Sequence, residues 1–305
     1  IGESPEWLKK RIRAMGLKPI NNIVDITNFV MFEYNQPMHA FDLDKLENKT
    51  VVIRAAETGE KITTLDGVDR ELNNGELVIA DEVKPIAIAG IIGGQTTQIE
   101  FETKNIFLEV AYFTPENIRK TAKKLGIVTD AGYRNERGLD IENISEVIDR
   151  AAALMAEVAS GEVLDEVIDK YIEKPQKFEI PLNINKLNNF IGKKLEFDQV
   201  GKILTNLGLG IKTLSQDTLI VTPPAYRQDL TRSEDLYEEV IRMYGFENIE
   251  AVMPVEDIES GLKDAKISVA DNLKEILKEI GLHEVINYTF IPKEALDILN
   301  IKDKV

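Results

Sequence analysis

The 305-residue sequence contains no cysteine, which excludes disulfides, thiolate metal sites and a cysteine nucleophile. No apolar run approaches the roughly 20 residues that a helix needs to cross a bilayer. The first residues show no signal-peptide pattern, and we therefore expect a cytosolic protein without a membrane segment. Because the chain begins with Ile1 instead of Met and stops at Val305 without a closing turn, we also expect a fragment of a longer protein.

Basic charge is scarce, with 37 Lys and Arg against 53 Asp and Glu and a net charge of -16. Such a surface does not bind nucleic acid everywhere, because phosphate contacts need cations. One stretch, residues 119–137, is richer in cations than in acids. Its basic side chains are Arg119, Lys120, Lys123, Lys124, Arg134 and Arg137. We expect any RNA contact to be confined to this small area, and the alternative is a solvated helix face.

Local patterns in the first half of the chain predict an α+β protein. Ser4, Pro5 and Glu6 are typical of a helix start, and apolar spacing extends that helix to about Gly16. Residues 50–94 predict short strands that form a mainly antiparallel sheet, with turns at Asp66-Gly67 and Asn73–Gly75. Further helices are predicted at 115–125 and 141–159, and a Pro- and charge-rich linker at 172–177.

The second half predicts a small winged-helix-like unit followed by the start of another domain. Helices are expected near 183–191 and 198–207, and strands at 210–214 and 217–222. An amphipathic helix at 269–280 and a strand at 284–290 come later. The predicted domains are 1–174, 175–250 and 251–305.

An acidic helix near residues 229–245 carries carboxylates on one face. Asp235, Glu238 and Glu239 share that face at 3.6 residues per turn, and Asp229 lies just upstream. Oxygen ligands of this kind suit Mg²⁺. The alternative is an exposed acidic face near a helix start, where the helix dipole favours negative charge.

Residues 227–245 resemble the beta subunits of bacterial phenylalanyl-tRNA synthetase, which carry two Asp and a Glu-Glu pair at this spacing. Other segments resemble the same family in the same order: 24–30, 36–43, 65–67, 89–94, 108–113 and 129–140. The resemblance implies an editing domain, a winged-helix-like domain and the start of a catalytic-like domain. It also implies that Asp229, Asp235, Glu238 and Glu239 bind magnesium.

In that family the editing domain hydrolyses tyrosine from phenylalanine tRNA. The resemblance implies catalytic roles for His39, Glu109 and Thr129. It implies substrate-binding roles for Thr27, Asn28, Gly93 and Ala131. Glu109 would accept a hydrogen bond from the tyrosine hydroxyl, which phenylalanine cannot donate. His39 and Thr129 would place the attacking water, and the two small residues would leave room for the ring.

Without the resemblance these residues support plainer interpretations. His39 would be a structural histidine, Glu109 a strand-end carboxylate facing solvent, and Gly93-Gly94 a turn. The resemblance, in turn, places Thr27 and Asn28 on a neighbouring strand or loop. Asn135 departs from the family, which usually has an aromatic residue there, so we expect the local packing to differ.

The resemblance also implies partners and limits. The whole enzyme would join phenylalanine to its tRNA with ATP and magnesium as a heterotetramer with an alpha subunit. This chain would not bind ATP and would be at most an aminoacyl-tRNA deacylase. The alternative function is a non-catalytic module for assembly or tRNA binding.

Overall fold

A computed structural model describes residues 1–165, 167–171, 178–253, 261 and 264–300. The chain divides into two compact units, Ile1–Ile249 and Glu250–Val305. The predicted linker at 172–177 lies outside the described residues, and the division into three domains stays a prediction. Within the described ranges, no helix combines the length and apolarity needed to cross a bilayer.

The first 160 residues contain five α-helices and eight strands. The helices are α1 (Glu6–Ala14), α2 (Asn22–Tyr34), α3 (Pro115–Leu125), α4 (Asp130–Asn135) and α5 (Ile144–Ala159). The strands are β1 (Met38–Asp42), β2 (Val52–Ala55), β3 (Lys61–Thr63), β4 (Asp69–Glu71), β5 (Leu77–Ala80), β6 (Pro85–Ile88), β7 (Ile92–Gly93) and β8 (Ile106–Val110). Each described pairing is antiparallel, in the sheet order β2-β5-β6-β7 with separate pairs β3-β4 and β1-β8. The predicted α+β class is confirmed.

Helix α2 was not predicted, and it corrects the expected strand or loop at Thr27 and Asn28. The run around these residues is rich in β-branched side chains, which favour strands. A local cap decides otherwise: the Asn21 side chain accepts hydrogen bonds from the backbone N–H groups of Ile23 and Val24. The helix then buries Ile23 and Ile26 in a core shared with α1 and α5.

The β1–β8 pair separates two hydrophobic cores because side chains alternate between the faces of a strand. Ala40 on β1 joins the helical core, and Leu108 on β8 packs against it. Phe41 belongs to the core of the strands, where Phe107 packs. His39 has the same parity along β1 as Phe41, so it is expected on the side of the strand core.

Residues 180–249 form the rest of the first unit. Its elements are β9 (Ile180–Asn183), α6 (Ile184–Ile191), α7 (Phe197–Asn206), β10 (Gly210–Thr213), β11 (Thr218–Thr222) and α8 (Ser233–Tyr244). The strands form an antiparallel sheet in the order β10-β11-β9. The predicted helices and hairpin are present, whereas β9 was missed. A core of aliphatic residues and Tyr237 lies between the sheet and the helices.

A side-chain contact joins the two halves of this unit. Gln228 Nε2 donates a hydrogen bond of 2.7 Å to the Leu139 carbonyl. Gly138 has a φ of +86°, and a Cβ atom there would collide with the Gln228 side chain. A glycine at position 138 therefore permits both the turn and the close approach.

The second unit contains α9 (Ala265–Glu279) and α10 (Lys293–Ile298). The helix predicted at 269–280 is confirmed, although α9 begins earlier. The strand predicted at 284–290 is wrong. Its apolar residues Ile286, Tyr288 and Phe290 are 99%, 95% and 93% exposed. Alternation alone predicted this strand, but a strand needs a hydrogen-bonded neighbour, and the described part of the unit provides none.

Candidate functional site

A cavity of about 470 Å³ opens between α2, the β1–β8 pair, β7 and the start of α4. We call it the central cavity. All seven residues predicted to form the editing pocket line it. These are Thr27, Asn28, His39, Gly93, Glu109, Thr129 and Ala131. Five separate segments contribute them, so the fold assembles the set from residues far apart in the sequence.

His39 and Glu109 are directly opposite each other in the antiparallel pair of β1 and β8. Side chains in that relation lie on the same face, with Cβ atoms about 5 Å apart. The Nε2 atom of His39 is buried without a hydrogen-bond partner in the described structure. The imidazole packs edge-on against Phe41, with ring centroids 4.4 Å apart. The site therefore offers one imidazole and one carboxyl group from neighbouring positions.

Burial in the cavity wall perturbs both groups. It raises the pKa of the Glu109 carboxyl to about 7 and lowers the pKa of the His39 imidazole to about 4, because a low-polarity environment disfavours the charged form. The other carboxylate in the wall, Asp130, is paired with Arg134 at 2.8 Å. At neutral pH the imidazole is therefore uncharged, and the raised pKa of the Glu109 carboxyl favours its protonated form more than in an exposed glutamate.

Gly93 makes room for the imidazole. A Cβ atom on Gly93 would lie 2.7 Å from His39 Nε2 and 3.1 Å from a methyl group of Leu65, and contacts under 3.0 Å are not tolerated without movement. The resemblance implied that this space receives the substrate ring. The structure places His39 in it, while Ala131 remains a small residue in the cavity wall.

The hydroxyl groups of Thr129 and Thr27 are already engaged. Thr129 Oγ1 donates to the Ile91 carbonyl at 2.7 Å and accepts from the Gly132 N–H at 2.9 Å, which caps α4. Thr27 donates to the Val24 carbonyl. Thr129 therefore keeps one lone pair for a ligand and no free proton, so its role in placing water stays a prediction. The Asn28 amide, by contrast, has no partner among the described side chains and lines the cavity.

Asn135 is a cavity residue that sequence reasoning did not place in the site. It is 1% exposed, and its Nδ2 donates to the Gly90 carbonyl at 2.8 Å. This bond fixes the amide orientation, since only the nitrogen can face a carbonyl. Its Oδ1 is buried without a partner among the described atoms. The departure from the family at this position was the available signal, but it was interpreted only as a packing difference.

The four predicted magnesium ligands are not arranged around a common point. Arg227 donates to Asp229 at 2.6 Å and to Glu239 at 3.0 Å, and Arg242 also pairs with Glu239 at 2.7 Å. Asp235 instead accepts from the backbone N–H groups of Thr231 and Arg232 at the start of α8.

This arrangement does not fit a metal ion, because the Arg227 guanidinium already lies between two of the carboxylates. Hydrogen bonds from Arg227 lower the pKa of Asp229 and of Glu239, and Glu238 is exposed. No cluster of three or more His, Asp or Glu residues suited to a metal occurs in the described ranges. Magnesium binding stays a prediction.

The cations predicted to hold RNA are mostly paired within the protein. Lys124 pairs with Glu76 and Arg134 with Asp130. Arg137 pairs with Glu136 and lies over the Tyr133 ring, and Arg119 donates to a backbone carbonyl. Lys120 and Lys123 alone in this set are exposed without a partner among the described residues.

Comparisons with known proteins agree with the resemblance over the whole chain. Residues 1–160, more than half of the chain, match the B3/4 domain family. Residues 180–246 match the tRNA synthetase B5 domain, and residues 249–305 match the phenylalanyl tRNA synthetase beta chain CLM domain. The phenylalanine–tRNA ligase beta subunit of Fusobacterium nucleatum is 67% identical over all 305 residues. The chain belongs to the phenylalanyl-tRNA synthetase beta-subunit family.

Further comparisons show how far this similarity extends along the chains. The phenylalanine–tRNA ligase beta subunit of Carboxydothermus hydrogenoformans is 42% identical over 99% of the chain. The chain spans 38% of the length of each of these two relatives. A solved N-terminal fragment of the phenylalanyl-tRNA synthetase beta subunit from Pyrococcus horikoshii is 15% identical with a TM-score of 0.37, covering 73% of this chain and 65% of that one. A similarity at that level carries no structural argument.

Proposed function

We propose that the central cavity is an editing site that hydrolyses tyrosine from mischarged phenylalanine tRNA. The carrying observation is that His39 and Glu109, opposite each other on β1 and β8, both line this cavity, and that the Glu109 carboxyl group has no hydrogen bond or ion pair in the described structure. Buried polar groups normally have partners. Groups left without one in a cavity wall are suited to a ligand that supplies it. The cavity volume lies in the range of small-molecule sites.

Glu109 would select tyrosine over phenylalanine. The carboxyl group has no hydrogen bond or ion pair in the described structure, and burial raises its pKa to about 7. In either protonation state it can pair with a phenol hydroxyl, by accepting when ionised or by donating when protonated. Phenylalanine would leave the buried group without a partner, and such a defect supports discrimination of about 10⁴ or more.

The reaction is the hydrolysis of an ester. A water oxygen attacks the tyrosyl carbonyl carbon, the bond to the terminal ribose oxygen breaks, and free tyrosine and the RNA hydroxyl form. His39 would help to position this water from the cavity wall. With a pKa of about 4 the imidazole is a weak base, so we assign it a positioning role, and the substrate ester supplies the driving force. Thr129 would support the wall mainly by capping α4.

The proposal also covers the activity, the partners and the location of the whole protein. Aminoacylation with ATP and magnesium, binding of phenylalanine tRNA, assembly with an alpha subunit and a cytoplasmic location are expected for the parent enzyme. We propose that this chain takes no part in amino-acid activation and binds no ATP.

A deacylation assay tests the proposal. Tyrosyl-tRNA and phenylalanyl-tRNA specific for phenylalanine are incubated with the chain and with its Glu109→Ala variant. We expect the chain to hydrolyse the tyrosyl ester only, and Glu109→Ala to lose that preference. Glu102→Ala is the matched control, because Glu102 is an exposed carboxylate outside the cavity without a partner among the described residues. Inactivity of the chain, with activity restored in the full heterotetramer, would favour the assembly module instead.

A further inference from the structure

A second cleft, of about 420 Å³, adjoins the central cavity. We call it the basic cleft. Its wall includes Lys9, Arg13, Lys18 and Phe101, and Ile20 lines both it and the central cavity. The two spaces are therefore neighbours across one exposed side chain. A molecule whose end enters the central cavity past Ile20 would have its next groups within reach of the basic cleft.

The positive charge of this cleft is concentrated in a short run of sequence. Residues 9–18 contain five basic side chains and no acidic one, in a chain whose net charge is -16. Arg13 and Lys18 are exposed, and neither side chain has a hydrogen bond or ion pair in the described structure. Lys9 is paired with Glu3 at 2.8 Å. The cleft thus presents one guanidinium and one ammonium group that are free to bind an anion.

The acids of the cleft are engaged elsewhere. Glu3 forms an ion pair with Lys9. Asp25 is fully buried and accepts hydrogen bonds from Ser4 Oγ and from the Ile20 N–H, the latter at 2.9 Å. Asp25 therefore holds in place the residue that separates the two spaces, and the two acids do not compete directly for Arg13 and Lys18.

Phe101 adds an aromatic surface that is 59% exposed. Cations combined with an exposed ring are the means by which proteins bind single-stranded nucleic acid, through phosphate contacts and base stacking. By contrast, most cations of residues 119–137 are paired within the protein.

We propose that the basic cleft binds the last nucleotides of the RNA whose aminoacyl end occupies the central cavity. Arg13 and Lys18 contact the phosphates, and Phe101 stacks on a base. The inference rests on the proposed editing function, because that function places an ester at the end of an RNA chain in the adjoining cavity. The RNA would thus be held by residues of the basic cleft and not by the cations of residues 119–137.

Direct binding provides the first test. An RNA hairpin with a single-stranded 3′ end is titrated with the chain at several salt concentrations, and fluorescence anisotropy reports the affinity. We expect Arg13→Ala/Lys18→Ala to weaken binding at least tenfold and to reduce the slope of log K against log[salt] by about 1.4, at roughly 0.7 for each lost contact to a single strand. Phe101→Leu should weaken binding, whereas Phe101→Tyr should bind the RNA about as tightly as the wild-type chain does.

A charge-matched control separates a local contact from a change in net charge. Lys61→Ala/Lys202→Ala removes the same charge from exposed positions that line neither space. This control should change the affinity and the salt slope by less than half of the change seen in Arg13→Ala/Lys18→Ala. Equal effects of the two double variants, or a cleft variant that binds as the wild-type chain does, would overturn the proposal.

Kinetics distinguish failure of the cleft from failure of the editing function. The ratio of kcat/KM on tyrosyl-tRNA to kcat/KM on tyrosine methyl ester should fall about tenfold in Arg13→Ala/Lys18→Ala. An unchanged ratio in an active protein would refute the cleft and leave the editing site standing. If the wild-type chain hydrolyses neither substrate, the editing proposal fails, and the binding data still decide whether the cleft holds RNA.

Discussion

His39 and Glu109 are expected to exchange a proton when the chain folds. Between pH 4.5 and 6.5 an unfolded chain carries a protonated histidine and an ionised glutamate, as the ordinary pKa values of 6.5 and 4.5 require. In the folded protein burial moves the pKa of His39 to about 4 and that of Glu109 to about 7. The imidazole is then neutral and the carboxyl protonated. Each state binds one proton in this pair.

The stability of the wild-type chain should therefore not depend on pH through this pair within that window, because the slope follows the difference in bound protons. The contribution of Glu109, whose folded pKa is raised, is fully present below pH 4.5 and is lost as pH rises towards 7. The contribution of His39, whose folded pKa is lowered, is present above pH 6.5 and is lost as pH falls towards 4. The two dependences oppose each other.

A substitution of either residue removes one of the two opposing pH dependences of stability. At about 1.36 kcal/mol for each pH unit, the free energy of unfolding of Glu109→Gln should rise relative to wild type by up to about 2.7 kcal/mol from pH 4.5 to 6.5. His39→Gln should show a fall of similar size, and the double variant should parallel the wild type. These are upper limits, because both side chains line a cavity that solvent can enter.

Urea unfolding at pH 4.5, 5.5 and 6.5 measures these differences, and comparison with wild type cancels the contributions of all other groups. Nitrogen NMR of the imidazole rings provides a direct check, since the chain contains only two histidines, His39 and His283. A cationic His39 at pH 5.5 would refute the reasoning. A Glu109→Gln variant with no gain in stability between pH 4.5 and 6.5 would do the same.

Three further substitutions test the wall of the cavity and the acidic helix. Gly93→Ala should lower the free energy of unfolding by about 1–3 kcal/mol through overpacking against the imidazole and abolish deacylation. Gly201→Ala, where an added Cβ atom meets open space, should keep both the stability and the deacylation activity in the same urea and deacylation assays. Arg227→Gln should cost about 3 kcal/mol in urea unfolding by leaving a buried charge on Glu239 poorly paired. Because hydrogen bonds lower the pKa of that carboxyl, this loss should be present above pH 4.5 and shrink as pH falls below it. Thr129→Ala should cost about 1 kcal/mol in urea unfolding through loss of the α4 cap, and a Thr129→Ser variant as unstable as Thr129→Ala would contradict the capping role.

Sequence patterns predicted the elements whose ends are determined locally. Helix α3 was predicted with its observed bounds, because Pro115 occupies its first turn and Gly126 ends it at a φ of 65°. Helix α2 was missed, since its strand-like composition is overridden by the Asn21 cap and by packing against distant helices. The local sequence pattern therefore did not predict the helix that carries Thr27 and Asn28.

The candidate site was predicted through family resemblance alone. Nothing local in the sequence indicates that His39 faces Glu109, because their proximity depends on strand pairing. Helical spacing predicted that acids share one side of α8, but Arg227, which lies before the helix, pairs with two of the predicted ligands. The basic run at residues 9–18 was visible in the sequence, yet only the fold shows that it adjoins the cavity.

The pairing of β1 with β8 also determines which changes in chain length the site tolerates. The two strands are joined through about 60 residues of turns and short strands, and exposed turns such as that at Gly59 can accept insertions at a small cost in loop entropy. The connection between α2 and β1 is only three residues long. A single deletion there that shifts β1 by one position against β8 would turn His39 towards the helical core. Length polymorphism in natural or engineered variants should therefore be common in the first region and rare in the second.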